Sequence, residues 1–161
     1  MKIDAAGALT LAAVIEQDLR AVDRLESHAL SLRVDPLQRA QLDSLGFALH
    51  NIYNSLENSF TQISLSFENN VRDRVRWHRE LLEKMFLDLP PLRVAVLGAD
   101  ARPVLADLLG FRHLFRHAYE FTLDATKTVA LWRRWQAEGG IVKNSLAAFA
   151  GELRAVAAAD L

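Results

Sequence analysis

Leu42, Leu45, Leu49, Ile52, Leu56, Phe60, Ile63 and Phe67 recur at steps of three and four residues. That spacing keeps one stripe of a helix continuously apolar and predicts a long helix near the core of a bundle. A similar stripe of Leu11, Ile15, Leu19, Val22, Ala29 and Leu32 predicts a preceding helix over about residues 8–33. Its intervening residues Glu16, Asp18, Arg20, Asp23, Arg24 and Glu26 read as a solvated face. Val34-Asp35-Pro36 separates the two helices. A residue before proline is pushed out of the α region, and Asp35 can then cap the next helix with Pro36 at its first position.

Beyond Asn69-Asn70 a third helix continues through Leu81, Leu82, Met85 and Phe86 to Leu89, where Pro90-Pro91 ends it. Leu92 to Gly98 is strand-like in composition but has no partner strand, so it reads as a connection. Asp100 is the expected cap of a fourth helix entering at Arg102-Pro103. Val104, Leu108, Phe111, Phe115, Ala118, Thr122, Ala125, Val129 and Trp132 would carry that helix to about Ala137, with Gly139-Gly140 as its stop. Val142, Leu146, Phe149, Leu153 and Val156 predict a fifth helix over about 142–158. The expected fold is all-α, an antiparallel bundle of four or five helices forming one domain over residues 1–161.

Composition narrows the picture further. Half of the 161 residues are hydrophobic, enough for a single core and too many for a disordered chain. Absence of cysteine excludes disulfides and thiolate metal sites, and fits a reducing, cytoplasmic setting. The apolar run Ala5 to Ile15 is preceded only by Lys2 and followed by Glu16 and Asp18, so it reads as helix rather than signal peptide. No run is long and uncharged enough to span a bilayer, so no membrane partner is expected. With a formal net charge of −1, any nucleic-acid binding must come from a local cluster.

Two stretches carry more polar groups than a plain bundle needs. The second helix bears His50, Asn51, Asn54, Ser55, Asn58, Ser59 and Gln62, with Tyr53 and Glu57 among them. This is either an ordinary polar face or a second interface, a subunit contact or the wall of a site. Arg72, Arg74, Arg76 and Arg79, with Trp77 and His78 between them, suit phosphate and base contacts. The simpler reading is a solvated face whose charge Asp73, Glu80 and Glu83 pair off.

The densest chemistry lies on the fourth helix, where Arg112, His113, Arg116, His117 and Tyr119 fall within eight residues. Around an ideal helix Arg116 and Tyr119 lie within roughly 40° of Arg112, whereas His117 is roughly 140° away. Spacing alone therefore does not join Arg112 to His117. They converge if the helix deforms near Gly110, or if a second chain brings its own cluster across a twofold axis. Histidine can give or take a proton near neutral pH, and arginine matches phosphate oxygens bidentately. These are the groups that metal-free RNA cleavage requires. The structural alternative is exposed arginines countering Asp107 and Glu120, with Tyr119 a core residue. No Gly-rich phosphate loop, paired-His metal spacing or nucleophile elbow occurs, so neither metal nor cofactor is expected.

Arg112, four residues, His117, one residue, Tyr119 resembles the signature of the HEPN superfamily, most closely that of HepT-type ribonuclease toxins. The resemblance covers most of the chain and implies Arg112 and His117 as the catalytic pair. His113 and Arg116 would support RNA binding, and Tyr119 would be the tyrosine adenylylated by an MNT-type nucleotidyltransferase antitoxin. An acidic or polar residue of an earlier helix often supports the arginine in this superfamily, and Glu57 or Asn51 is the candidate. The family usually carries a small polar residue directly after the arginine, where this chain has His113. The expected function is a homodimeric, metal-independent endoribonuclease toxin of a type VII-like pair. The rivals are a catalytically inactive HEPN-type module that binds a nucleotidyltransferase or a nucleotide, and a plain helical dimerisation protein.

Overall fold

The computed structural model describes residues 2–33, 38–68, 77–117 and 122–159. Five α-helices lie among them: α1 (Ala5–Ser31), α2 (Arg39–Glu68), α3 (Trp77–Met85), α4 (Arg102–Arg116) and α5 (Ala125–Ala159). The chain is all-α, a helical bundle without strands among the described residues. None of its helices is long and apolar enough to cross a membrane.

Helix α2 is central and packs on α1, α3, α4 and α5. Leu45, Leu49, Ile52, Leu56, Phe60 and Ile63 of its apolar stripe are fully buried. Truncating any of these leucines to alanine would cost about 2–5 kcal/mol. Polar contacts fix the helix directions. His28 meets Ser44 while Asp18 meets Asn58 and Ser59, so α1 and α2 run antiparallel. Arg154 reaches Glu16 while Lys143 reaches Glu26, so α1 and α5 do likewise. The acidic residues expected to form a solvated face of α1 therefore work partly at its seams. Burial pushes the Asp18 carboxyl up, and its bonds from Ser59 and Asn58 only partly offset that.

The chain enters α1 through Asp4, whose carboxylate accepts from the Gly7 N–H at 2.7 Å. The Asp35-Pro36 cap expected before α2 lies outside the described residues. Helix α3 stops at Met85, short of the expected Leu89. Arg93 is buried in the connection that follows. It donates to the carbonyls of Lys84, Leu87 and Val94 and pairs with Glu68 at 2.7 Å. Asp100 does not cap α4: it lies within a 3₁₀ turn, Ala99–Ala101, and Ala101 precedes α4 with no side-chain cap.

The second half of the chain departs most from expectation. Helix α4 ends at Arg116, with His117 as its C-cap, instead of reaching Ala137. Asp124 accepts from the Lys127 N–H at 3.0 Å and opens α5. That helix then runs through Gly139-Gly140 to Ala159. A terminating glycine needs the left-handed conformation, and no described glycine adopts it. The Trp135 ring instead lies against Gly139, where a Cβ would stand 2.6 Å from it. Trp135 itself is almost fully buried and donates its indole N–H to Glu26 at 2.9 Å. Tertiary packing overrides the poor helix propensity of the glycine pair.

Candidate active site

Arg112 lies on the last full turns of α4, and its side chain turns inward with 11% exposure. Three residues of other helices hold it. Its Nη2 pairs with Glu57 Oε2 at 3.0 Å, and its Nε donates to Asn54 Oδ1 at 2.8 Å. Its Nη1 lies 3.4 Å from His78 Nε2, and His78 Nδ1 lies 2.5 Å from the other oxygen of Glu57. Arg112, His78 and Glu57 thus close a ring of hydrogen bonds, with Glu57 facing both partners and itself buried. An ionised carboxylate only accepts, so His78 carries its hydrogen on Nδ1 and presents Nε2 as the acceptor.

A second set of contacts extends from Asn54. Its amide carbonyl is occupied by Arg112, so its NH₂ donates to His50 Nε2 at 2.9 Å. His50 is therefore a neutral ring with its hydrogen on Nδ1. Burial, then the charges of Arg112 and Arg116, hold its ionisation below the ordinary histidine range. The ring packs on Phe115, centroids 5.0 Å apart, and Phe115 stacks on Phe111 at 5.8 Å. Tyr53 is fully buried beside this wall. Burial, then the charge of Glu57, pushes its phenol well above the usual range, so it stays protonated.

α2 and α4 approach closely enough for these contacts because of Gly46. A Cβ there would stand 2.7 Å from Leu123 and 2.9 Å from the Phe115 ring. The polar side of α2 is thus an internal wall. His50, Asn54 and Glu57 recur along it at steps of four and three, the period of the apolar stripe.

The other expected residues lie elsewhere. His117 is exposed at the end of α4, and its ring meets that of His113 edge-on at 4.9 Å. Within one chain Arg112 is engaged by His78, and its contacts do not include His117. Arg116 is exposed. Asn51 donates to the Phe47 carbonyl of its own helix at 2.9 Å, and it is Asn54 that reaches the arginine. Tyr119 and Glu120, like Arg72, Arg74 and Arg76, lie outside the described residues. Arg112 is not an exposed charge countering Asp107; that carboxylate pairs with Arg134 of α5.

His78 is the member that sequence reading missed, since it sits in a stretch that reads as a basic solvated face. Its position is set by α3, whose Leu81, Leu82 and Met85 bury against the core. His78, near the start of that helix, is left at the mouth of the cluster, its side chain 31% exposed. Among the described residues no group of three or more His, Asp or Glu side chains is placed to share a metal ion.

The cluster has a fixed guanidinium and a carboxylate-backed imidazole whose side chain is partly exposed. It can bind a phosphate oxygen at Arg112 and exchange a proton at His78. Neither the curated proteins nor the solved structures compared with this chain include a significant match. A protein-family model described as HepT-like protein matches residues 44–153, which cover most of α2, all of α3 and α4 and most of α5, and so the whole cluster. This helical bundle, matched over most of its length by that model, belongs to the HepT-like family.

Proposed function

We propose that this protein is a metal-independent endoribonuclease toxin of a toxin–antitoxin pair, acting in the cytoplasm as a homodimer. Its antitoxin would be an MNT-type nucleotidyltransferase that silences it by adenylylating Tyr119. HepT-like membership supports the coarser assignment, a HEPN-type toxin. The single observation that carries the catalytic reading is the orientation of Arg112. Glu57 and Asn54 fix two sides of its guanidinium at 3.0 and 2.8 Å, leaving Nη1 more loosely engaged. A preorganised cation of this kind stabilises the charge that builds on a phosphorane. In the proposed reaction His117 acts with Arg112, and His113 and Arg116 add positive or hydrogen-bonding groups along the RNA. Adenylylation of Tyr119 would add a bulky anion that opposes binding of the RNA phosphate.

A second reading is a HEPN-type module without catalysis that binds a nucleotidyltransferase or a nucleotide. The presence of His113 after Arg112, where a small polar residue is usual in the family, favours this alternative. The deciding experiment is RNA cleavage by antitoxin-free protein in excess EDTA, after intact mass has shown it to be unmodified. Cleavage by wild type and not by His117→Ala supports the ribonuclease. Unmodified wild type that leaves RNA intact, yet retains its partner, supports the binding module.

A further inference from the structure

We infer that His78, backed by Glu57, is a second proton-transfer residue of the Arg112 site, the group that receives the 2′-hydroxyl proton of the RNA. The inference rests on the ribonuclease reading and assigns a role to a residue outside the family motif. Transesterification of RNA needs a base at the 2′-oxygen and an acid at the departing 5′-oxygen, and simultaneous transfer needs two groups. A single His117 imidazole can fill only one of these positions at a time, and His78 is the imidazole that the structure brings against Arg112.

The geometry meets the requirements of a base. Glu57 Oε1, 2.5 Å from Nδ1, fixes the tautomer that puts the lone pair on Nε2, where Arg112 Nη1 at 3.4 Å is its contact. The same carboxylate compensates the imidazolium that forms when Nε2 takes a proton, the arrangement by which an acid orients a histidine in hydrolases. The other groups facing His78 are Arg112 from α4 and its own neighbour Trp77, whose ring lies edge-on at 5.2 Å. At 3.4 Å the Arg112 contact is at the outer limit of a hydrogen bond, whereas the bonds anchoring Arg112 to Glu57 and Asn54 are shorter. A phosphate oxygen on Arg112 Nη1 therefore brings the adjoining 2′-hydroxyl beside the ring nitrogen that is least engaged. His78 is also reachable, with a side chain 31% exposed against 9% for Glu57.

The step balances without a co-reactant. The 2′-hydroxyl proton moves to His78 Nε2 and the oxygen forms the new bond to phosphorus. The bond from phosphorus to the 5′-oxygen breaks, and that oxygen takes a proton from the His117 imidazolium. The products are a 2′,3′-cyclic phosphate and a 5′-hydroxyl.

The test is single-turnover cleavage of a mixed-sequence single-stranded RNA in EDTA, across pH. It compares unmodified wild type with His78→Gln, His78→Ala and His117→Ala, each checked by thermal melting. His78→Gln keeps a donor for Glu57 and should fold, yet lose about 100-fold in rate, within the range for removing one acid–base group. The acidic limb of the rate profile should flatten in both His78 variants, and added imidazole should restore part of the His78→Ala rate. Folded His78→Gln cutting at the wild-type rate overturns the inference while leaving the ribonuclease standing. So does a slow His78→Ala with an unchanged pH profile and no imidazole rescue, which would make His78 a positioning residue for Arg112. Unmodified wild type that leaves RNA intact overturns both readings together.

Discussion

Arg112 and Glu57, on helices α4 and α2, form a 3.0 Å ion pair with both side chains about nine-tenths buried. The pair ties the last turns of α4 to the centre of the bundle. Breaking it from one side leaves an uncompensated charge in a dry setting, which is worse than never having had the pair. Glu57→Ala should therefore lower folding stability by about 3 kcal/mol, read as a shift of the urea midpoint at constant slope. Arg112→Lys keeps the charge but not the fork that spans Glu57 and Asn54. It should retain the fold while slowing RNA cleavage by on the order of 100-fold. A lysine variant that cuts normally would show that the guanidinium geometry is irrelevant to catalysis.

His117 gives the contrasting case. It is exposed at the end of α4 and has His113 as its ring neighbour. Its replacement by alanine should leave stability within about 0.5 kcal/mol of wild type while abolishing cleavage. A large loss of stability would instead mean that His117 is buried in a subunit contact, which concentration-dependent melting would reveal.

The two adjacent glycines of α5 should respond in opposite directions. At Gly139 a Cβ would meet the Trp135 ring at 2.6 Å, and Trp135 cannot move without losing Glu26. Gly139→Ala should destabilise by about 1–3 kcal/mol. Gly140 is exposed and has nothing within 4 Å of its Cβ position. Gly140→Ala should stabilise by about 0.5–1 kcal/mol through better helix propensity. Thermal melts of the two single variants, side by side, check both signs.

Acid sensitivity should centre on Glu68. Burial works to raise its ionisation, but hydrogen bonds from Lys84 and Arg93, then their charges, hold it below the ordinary glutamate range. The unfolded chain therefore binds this proton more readily than the folded one, so the contribution to stability is complete above pH about 4.3. It is lost as pH falls further, through the folded-state value. Asp18 acts in the opposite sense, because burial raises it and its folded form binds the proton more readily. Glu68→Gln should lower stability at neutral pH and flatten the fall below pH about 4.3, measured by urea midpoints across pH. An unchanged acid slope would shift the effect to other carboxylates such as Glu16, which Arg154 also holds low.

The sequence by itself determined the all-α class, the buried stripes of α1 and α2, and the place of Arg112 on a late helix. These follow from local periodicity, which each segment states for itself. It also drew attention to Glu57, through the polar load of the second helix and through a family resemblance, and to Asn51 as the supporting amide where Asn54 makes the contact. The step pattern of His50, Asn54 and Glu57 was the usable signal, because it keeps those three on one face and leaves Asn51 off it. What only the tertiary structure decided is everything that depends on residues distant in sequence. Helix α5 continues through Gly139-Gly140 with Trp135 lying over Gly139, and that ring is held by Glu26 of α1, a residue 109 positions away that local propensity cannot register. His78 joins Glu57 and Arg112 because three helices converge on one point. In the sequence it is one polar residue in a basic stretch, and nothing in its neighbours marks the side of the helix it will face.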